Sequence, residues 1–524
     1  MLNTKDRYIY LLPLCCLMII FILKSANRPA DDYAGYYFGS RFFLEGLFNA
    51  PTIYETYAFN HKIFAEGYNN LLVSYTPFPP ITSLFFIPFT WFDLYTSKII
   101  FNCLSSFVFL FSLLRIMKFL NIPNWVYMII PLVFLIPIRN NIYFGQAYLI
   151  LFSMMIEGFI FYKKGRYFYA SLLWGPAIVL KIFPLICLFF LLFKKEWRQM
   201  LYLAGVTCGL LVSSFYFNGL DVWKTYMFEI FPRVSNGELN DAFTPQFQSM
   251  FMFLKNIFVA DELQNPFPPF DNPQLFILLN LCFKIIVLSF CASVSLNKRI
   301  EDLEKFGIWV IGSILISPNG STYSLILLMI PFFGFCRIEK NNSLKGFLIL
   351  ILLLISNLQV NAFFSLPAVF QFPRLILTLG LFIFLIYLYS TSLNYKVLLG
   401  FSLLFVIASI PALQKKDNDN STYFFHKNNY TLIYDYIIKD NKLAVFYYND
   451  DKGAKSDTLN FEQPIKQDEN IYLKNHQIYW RDDQLTDTDD RKMKPVLLSS
   501  GRLLYLSDKN RGVGFYTLRT KKIF

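Results

Sequence analysis

Residues 163–198 read KKGRYFYASLLWGPAIVLKIFPLICLFFLLFKKEWR, a long and mostly apolar run with a basic cluster at each end. Basic clusters favour the cytoplasmic side of a membrane, so both ends of this run are predicted to face the cytoplasm. A hairpin of two short helices that turns near Lys181 and Pro184 satisfies both ends. A single tilted span is the alternative, and it would invert the orientation of every later segment.

The rest of the chain has a similar composition. Of 524 residues, 55% are hydrophobic, 19% aromatic and 16% charged, which is more apolar surface than a soluble core needs. Apolar runs alternate with short Lys/Arg clusters and fit the roughly 20 residues of a spanning helix. The first run, Tyr8 to Leu23, predicts an uncleaved signal anchor. The net charge of +12 resides largely in these clusters, so nucleic-acid binding is not indicated.

The basic clusters also predict the topology. With Met1 in the cytoplasm, residues 24–95 form a first extracytoplasmic loop, in which Pro79 to Phe92 is an amphipathic or re-entrant helix. Counting residues 167–193 as a hairpin gives about thirteen spans, and counting them as one span gives twelve. We therefore expect an all-α polytopic protein of the cell membrane.

A change in charge density marks a domain boundary near Leu413. Residues 414–524 contain 19 Lys/Arg and 16 Asp/Glu, far more per residue than the preceding part. Short aromatic and β-branched stretches alternate there with Asn, Asp and Gly turns, which is typical of a small mostly-β domain. The stretches are Lys442 to Tyr448, Asn470 to Trp480, Arg502 to Leu506 and Gly514 to Leu518. The sequence predicts a transmembrane domain over residues 1–413 and an extracytoplasmic soluble domain over residues 414–524.

Two adjacent acids, Asp31 and Asp32, follow the first span. A carboxylate at the mouth of a membrane cavity can act as a general base toward a sugar hydroxyl. Neighbouring residues of a helix point about 100° apart, so one of the two is expected to face the site. A helix cap or a solvated acid pair is the structural alternative.

After the first loop, spans are predicted over about residues 95–114, 125–138 and 147–162. The polar turn after residues 125–138, the third predicted span, supplies candidate substrate ligands. Arg139 can hold a phosphate through two hydrogen bonds, and Asn141 and Gln146 can hold sugar hydroxyls. An ordinary interfacial turn is the alternative. Lys181 lies in an apolar stretch, where a charge costs about 2.5 to 3.5 kcal/mol on insertion scales, so it faces a cavity or reaches the interface. The chain has three His far apart, and a His-based metal site is not indicated.

Several short motifs, in their order along the chain, resemble one known family. They are Asp32-Tyr33…Tyr36-Tyr37, Tyr75-Thr76-Pro77-Phe78-Pro79-Pro80, Gly145-Gln146, Lys181-Ile182-Phe183-Pro184 and Ser317-Pro318. Over roughly residues 1–340 the chain is similar to the bacterial polyprenyl-phosphate-mannose-dependent mannosyltransferases, a DUF2029-like family of the GT-C superfamily. Two features depart from that family: Tyr323 stands where a His is often found, and the soluble tail is an addition.

The resemblance implies a function and a site. It implies a GT-C fold and the transfer of a sugar from a polyprenyl-phosphate donor to a glycan or lipid-linked acceptor. The implied sugar is a hexose, with mannose as the preferred candidate, or a pentose. Asp32 matches the catalytic acid, with Asp31 as the fallback. Gly145 and Gln146 would border the donor site, and Lys181 would stand near its phosphate. A lipid phosphate is a good leaving group that does not demand a metal. Some GT-C enzymes nonetheless use one, so the resemblance leaves open whether a divalent ion is required.

Two rival functions remain. A lipid-linked-saccharide transporter or flippase would also be polytopic, but such proteins usually carry internal repeats, and we find none. A polysaccharide polymerase or ligase would favour a late outer loop rich in Arg. The long loop here, residues 218–271, contains a single arginine, Arg233. The segment from Ser317 to Ser324, which includes Tyr323, could line an acceptor site or form a plain turn between helices.

Overall fold

The computed structural model describes residues 7–46, 52–69, 71–238, 242–338, 341–389, 394–414, 420–428, 431–449, 453–461 and 470–523. Twenty α-helices precede ten β-strands in these ranges. The first ten helices are α1 Arg7–Ala26, α2 Asp31–Leu44, α3 Thr56–Ala65, α4 Thr82–Phe86, α5 Leu94–Phe119, α6 Trp125–Val133, α7 Leu135–Phe144, α8 Tyr148–Lys163, α9 Tyr167–Leu180 and α10 Ile186–Lys194.

The other ten helices complete the membrane part and its loops. They are α11 Trp197–Asn218, α12 Leu220–Thr225, α13 Phe231–Ser235, α14 Met250–Phe258, α15 Pro273–Leu296, α16 Asp302–Ile316, α17 Met329–Cys336, α18 Asn342–Asn357, α19 Pro373–Tyr389 and α20 Tyr395–Gln414.

Four helices in the described ranges are long and apolar enough to cross a membrane, namely α1 over Ile9–Ala26, α5, α11 and α15. A fifth span results if the bent pair α6 and α7 is counted as one. The remaining apolar segments have 10–17 residues and extend only about 15–25 Å at 1.5 Å per residue, less than the hydrocarbon thickness of about 30 Å. The chain is a mostly helical membrane protein, and the count of about thirteen spans is not confirmed.

The bend between α6 and α7 measures 63°. Pro137 has no N–H, so the carbonyl of Val133 lacks its usual helical donor. Asn357 at the end of α18 satisfies the exposed backbone. Its Nδ2 lies 2.9 Å from the carbonyl oxygen of Val133 and 3.0 Å from that of Leu132, and its Oδ1 accepts from the backbone N of Ile136 at 3.1 Å. This side chain stabilises the bent geometry.

Helices α9 and α10 form a hairpin. Lys163 Nζ, just before α9, lies 2.6 Å from Asp302 Oδ2, and Lys194 Nζ, at the end of α10, lies 2.5 Å from Asp302 Oδ1. The two ends of the segment therefore meet on one carboxylate, at the same side of the helix array. Lys181 occupies the break between the helices with an extended backbone, φ −145° and ψ 129°. A single tilted span does not fit this geometry.

The loop after α1 folds into short helices that pack on one another. In α2 the aromatic side chains of Tyr33, Tyr36 and Tyr37 are fully buried, and the ring of Tyr36 stacks on that of Phe86 with centroids 4.3 Å apart. The stretch from Pro79 to Phe92 contains the five-residue helix α4 and a five-residue 3-10 segment, Ile87–Trp91. Both are too short to cross a membrane.

The C-terminal part is a small β-domain, as its sequence predicts. Its strands are β1 Thr422–Phe425, β2 Leu432–Lys439, β3 Lys442–Asn449, β4 Gly453–Asn460, β5 Ile471–Lys474, β6 Gln477–Trp480, β7 Asp483–Gln484, β8 Lys492–Leu497, β9 Arg502–Ser507 and β10 Thr517–Lys522. They form three antiparallel sheets with the orders β1-β10-β9-β8, β2-β3-β4 and β5-β6-β7. Helix α20 ends at Gln414 and β1 begins at Thr422, on the far side of the predicted boundary near Leu413.

The β-domain docks on the first loop through backbone hydrogen bonds. The backbone N of Thr56 donates to the carbonyl of Val513 at 3.0 Å, and that of Tyr57 to the carbonyl of Gly514 at 3.3 Å. A Cβ on Gly514 would lie 2.7 Å from the backbone N of Thr56, so this approach requires glycine. The β-domain and the loop after α1 therefore lie on the same side of the membrane.

Ion pairs join the β-domain to the helices after α11. The Arg491 guanidinium contacts both carboxylate oxygens of Glu229 at 2.6 and 2.9 Å. Arg233 Nη1 lies 3.1 Å from Asp508 Oδ2, and the Asp508 side chain is completely buried. Because breaking a buried pair leaves an uncompensated charge, these contacts hold the β-domain firmly on the membrane part.

Candidate active site

The structure brings Asp32 and Gln146 together. Gln146 Nε2 donates to Asp32 Oδ2 at 2.6 Å, across 114 positions of the chain. Asp32 lies in the first turn of α2 and is half-buried, and Gln146 lies in the short connection between α7 and α8 and is buried. A neutral amide that donates to a carboxylate at this distance forms a strong, charge-assisted hydrogen bond.

Gly145 explains how Gln146 reaches α2. It ends α7 in the left-handed conformation with φ +63°, which glycine adopts without strain. A Cβ at this position would lie 2.6 Å from the Cβ of Tyr33, so the turn packs directly on α2. Gly145 thus borders the pocket and allows the close approach, while Gln146 reaches into it.

Lys181 enters the same pocket from the tip of the hairpin. Its Nζ lies 4.6 Å from the ring centroid of Phe78, 5.5 Å from that of Tyr148 and 5.7 Å from that of Tyr36. These distances are in the range of cation–π contacts, which hold a cation without neutralising it. The hydroxyl of Tyr36 donates to Gln146 Oε1 at 3.2 Å. Of these three rings, that of Tyr36 links the cation to the amide that holds Asp32.

The charge of Asp32 is set by opposing effects. Burial raises the pKa of the Asp32 carboxyl above its ordinary value, against the hydrogen bond from Gln146 and the positive charges of Lys181 and Lys98. Lys98 is buried at the start of α5, where its Nζ donates to the carbonyl of Pro29 at 2.7 Å. A carboxyl group with a raised pKa is a stronger base once it is ionised.

Asn141 and Tyr323 form the neighbouring wall. Asn141 Nδ2 donates to the carbonyl oxygens of Pro137 and Tyr323, each at 2.9 Å. Its Oδ1 is buried without a donor among the described residues. The Tyr323 ring lies 5.4 Å from that of Tyr148, which in turn contacts Lys181. This wall therefore offers an unused acceptor beside the pocket.

Arg139 lies elsewhere. Its Nε donates to Asn140 Oδ1 at 3.2 Å, and its guanidinium lies 5.9 Å from the ring centroid of Tyr143. Arg28 approaches the same ring at 4.2 Å. No described contact joins Arg139 to Asp32, Gln146 or Lys181. The side chain of Asp31 is outside the part of the chain that the structure describes.

Tyr36, Phe78, Tyr148 and Lys98 were not predicted to be site residues. The first two stand inside the quoted motifs, and Tyr148 follows Gln146 by two positions, so motif proximity was the available signal. Lys98 is a lysine at the start of an apolar helix, which is the same signal that singled out Lys181.

The pocket does not suit a divalent cation. In the described ranges no group of three His, Cys, Asp or Glu side chains is close enough to hold a metal ion. Around Asp32 the partners are an amide, a lysine and aromatic rings, whereas Mg²⁺ and Ca²⁺ prefer several oxygen ligands. Among the described side chains of this site, the Asp32 carboxylate and the Lys181 ammonium are the groups that can act in acid–base or electrostatic catalysis.

The protein thus combines a helical membrane part with a cluster of a carboxylate, an amide and a cation. Residues 75–318 match the model of glycosyltransferase family 87. The match supports a glycosyltransferase family for this part of the chain, and it confirms the predicted resemblance at that level. The matched region includes Gln146 and Lys181, and Asp32 precedes it. No curated protein and no solved structure matches the chain.

Proposed function

We propose that this membrane glycosyltransferase transfers a sugar from a polyprenyl-phosphate donor to a glycan or lipid-linked acceptor. The sugar is a hexose, with mannose as the preferred candidate, or a pentose. The hydrogen bond of 2.6 Å between Gln146 and Asp32, in a pocket that Lys181 also enters, carries the proposal. The pocket lies on the side of the membrane that holds the first loop and the β-domain. We assign that side to the cell exterior and the N-terminus to the cytoplasm, in keeping with the basic clusters.

The proposed reaction is a single displacement. The ionised Asp32 carboxylate takes the proton of the acceptor hydroxyl, and the hydroxyl oxygen forms a bond to the anomeric carbon. The bond between that carbon and the phosphate oxygen breaks on the opposite side, so the configuration inverts. Polyprenyl phosphate leaves with the bonding electrons, and the Lys181 ammonium balances its charge.

Neighbouring side chains have supporting roles in this scheme. Gln146 orients the Asp32 carboxylate through its amide. Gly145 allows the turn that carries Gln146 to approach α2 closely. The buried Oδ1 of Asn141 accepts a hydrogen bond from a sugar hydroxyl, and Tyr323 lines the acceptor side. Arg139 has no described contact with Asp32, Gln146 or Lys181, and in this scheme it is the second candidate for the phosphate after Lys181. Asp31 is the fallback base.

The family match favours an enzyme over the transporter or flippase. A polymerase would need the same pocket to act on a growing glycan, and no described feature favours that function over transfer of one sugar. Asp32 lies on α2 and Lys181 at the break between α9 and α10. The base and the cation therefore come from separate segments, which suits a displacement in which the base and the leaving group lie on opposite faces of the sugar.

The direct test is sugar transfer by the purified protein from polyprenyl-phosphate mannose, with a polyprenyl-phosphate pentose and a nucleotide sugar as competing donors. We expect Asp32→Asn to lower kcat/KM by about 10² to 10⁴-fold, the usual contribution of a general base. Lys181→Met should lower kcat more than it raises KM, because its charge acts mainly on the departing phosphate.

Asp221→Asn is the matched control, since this acid is exposed on α12 and lies outside the pocket. It should retain wild-type activity. Full activity in Asp32→Asn and in the double variant with Asp31→Asn would refute the assignment of the base. Transfer from the nucleotide sugar alone would refute the lipid-phosphate donor.

A further inference from the structure

A cavity of about 300 Å³ lies at the opposite end of the helix array from Asp32. Its floor includes Phe119, Phe159 and Ile300. Phe119 ends α5, a helix of 26 residues that begins beside the first loop and is therefore about 39 Å long. The cavity thus opens on the other membrane face, at the ends of α5 and α8.

The rim of this cavity is charged. Its cationic residues are Lys163, Lys298, Arg299 and Arg337, and its acidic residues are Glu301 and Asp302. The acids are already neutralised: Asp302 accepts from Lys163 and from Lys194 outside the lining, and Glu301 pairs with Arg337. No carboxylate of the rim is left for a further cation.

Lys298 and Arg299 supply the excess positive charge. Both side chains are exposed, and within the described ranges neither forms an ion pair. The backbone N of Arg299 donates to Asn297 Oδ1 at 3.0 Å, which holds the loop but leaves the guanidinium available. Two neighbouring cations beside an apolar floor complement a ligand that carries an anion next to a hydrocarbon part.

We propose that this cavity binds the phosphate headgroup of an anionic phospholipid in the membrane leaflet of that face. Basic pockets between transmembrane helices commonly hold such headgroups. Lys298 and Arg299 contact the phosphate, and the floor of Phe119, Phe159 and Ile300 packs on the start of the acyl chains. A lipid fits better than a soluble phosphate compound because the cavity joins this apolar floor to charged side chains at the helix ends.

Binding here has a structural consequence. Asp302 and its two lysines join the ends of α8 and α10 to the start of α16, and Asp302 and Lys163 border the same cavity. A bound lipid therefore stabilises the base of the hairpin that carries Lys181 at its tip. This inference is independent of the reaction catalysed at Asp32.

The experiment uses the full chain in a neutral detergent and measures its thermal unfolding. Phosphatidylglycerol, phosphatidylcholine or inorganic phosphate is titrated into the wild type, into the K298Q/R299Q variant and into the matched control K439Q/K474Q. The control removes two exposed lysines from the β-domain and changes the net charge equally. Size-exclusion profiles check that all three proteins are folded.

We expect phosphatidylglycerol to raise the Tm of the wild type and the control, because a ligand that binds only the folded state stabilises it. The K298Q/R299Q variant should need about 30-fold more of this lipid for the same shift, since each basic residue contributes about tenfold or less. An equal shift in K298Q/R299Q, or one with phosphatidylcholine, would overturn the site. A full shift with inorganic phosphate would overturn the assignment to a lipid.

Discussion

The hydrogen bond from Gln146 to Asp32 predicts how the enzyme depends on pH. The Asp32 carboxyl acts as a base only when ionised, so activity is present above its pKa and is lost as the pH falls through it. Burial raises this pKa, and the Gln146 hydrogen bond is the largest effect that lowers it. Gln146→Met removes that bond and keeps a similar volume. The pKa must rise, and the acid limb of the profile must move to higher pH.

The magnitude follows from the geometry. Nε2 of Gln146 lies 2.6 Å from Oδ2 of Asp32, and a hydrogen bond to a charged group contributes about 1.5 to 3 kcal/mol. One pKa unit corresponds to about 1.4 kcal/mol. The acid limb of kcat/KM should therefore shift upward by about one to two pH units, and the rate should recover above the new pKa.

The assay is the pH dependence of kcat/KM for sugar transfer by the wild type, Gln146→Met and Tyr36→Phe. Tyr36→Phe is the matched control, because it removes the hydroxyl that donates to Gln146 Oε1 but keeps the bond to Asp32. Its acid limb should stay within a few tenths of a unit of the wild type. An acid limb that is unchanged in Gln146→Met, at any level of activity, would refute Asp32 as the titrating base.

Three further predictions concern stability. Gly145→Ala should cost about 2 to 4 kcal/mol and lower the Tm, because its left-handed backbone is strained with a side chain and its Cβ would overlap Tyr33. Arg233→Met should cost about 3 to 5 kcal/mol by leaving buried Asp508 unpaired, seen as faster hydrogen exchange in residues 502–523. Asp302→Asn should weaken the base of the hairpin by about 1 to 3 kcal/mol, seen as faster exchange in α10.

Two of these predictions have close controls. Gly165 also has a left-handed backbone, with φ +69°, but nothing lies within 4 Å of its Cβ direction, so Gly165→Ala isolates the backbone strain from the overlap. Arg481 is exposed in the β-domain and packs on Trp480, so Arg481→Met removes an arginine without unpairing a buried acid. Losses as large in these controls as in the test variants would contradict the local explanations.

The mostly helical character of the membrane part could be predicted from charge and hydropathy, whereas the count of about thirteen spans is not confirmed. The basic flanks of residues 163–198 predicted the hairpin, because its two ends are forced to one side and in the structure share Asp302. The bend between α6 and α7 was not predicted, and residues 125–138 were expected to be one span. Pro137 was visible in the sequence, but its effect depends on Asn357, a partner 221 positions away from Ile136.

In the β-domain, too, some features could be predicted from the sequence and others could not. The alternating stretch from Lys442 to Tyr448 corresponds to β3, and residues 470–480 contain β5 and β6. Gly514 to Leu518 was expected to be a strand, but β10 begins at Thr517, because the backbone before it bonds to Thr56 and Tyr57 of the first loop. Local pattern predicts a strand, but contacts that arise only in the folded protein decide where it begins.

For the candidate site, the order of the motifs along the chain indicated which residues come together, whereas closeness in sequence did not. The motifs named Asp32, Gln146 and Lys181, and the structure places them in one pocket. Arg139 was grouped with Gln146 because only seven positions separate them, yet it lies against Tyr143 with Arg28. Its place depends on the direction in which α7 leaves the bend, which no local pattern encodes.

The pairing of Thr56 with Val513 also constrains biogenesis. These residues are 457 positions apart, so the edge of the first loop is synthesised long before its partner. The backbone N–H groups of Thr56 and Tyr57 cannot form their bonds to Val513 and Gly514 until nearly the whole chain has been synthesised. A chain that terminates before Val513 would expose this edge permanently, and quality-control proteases could distinguish it from a finished one.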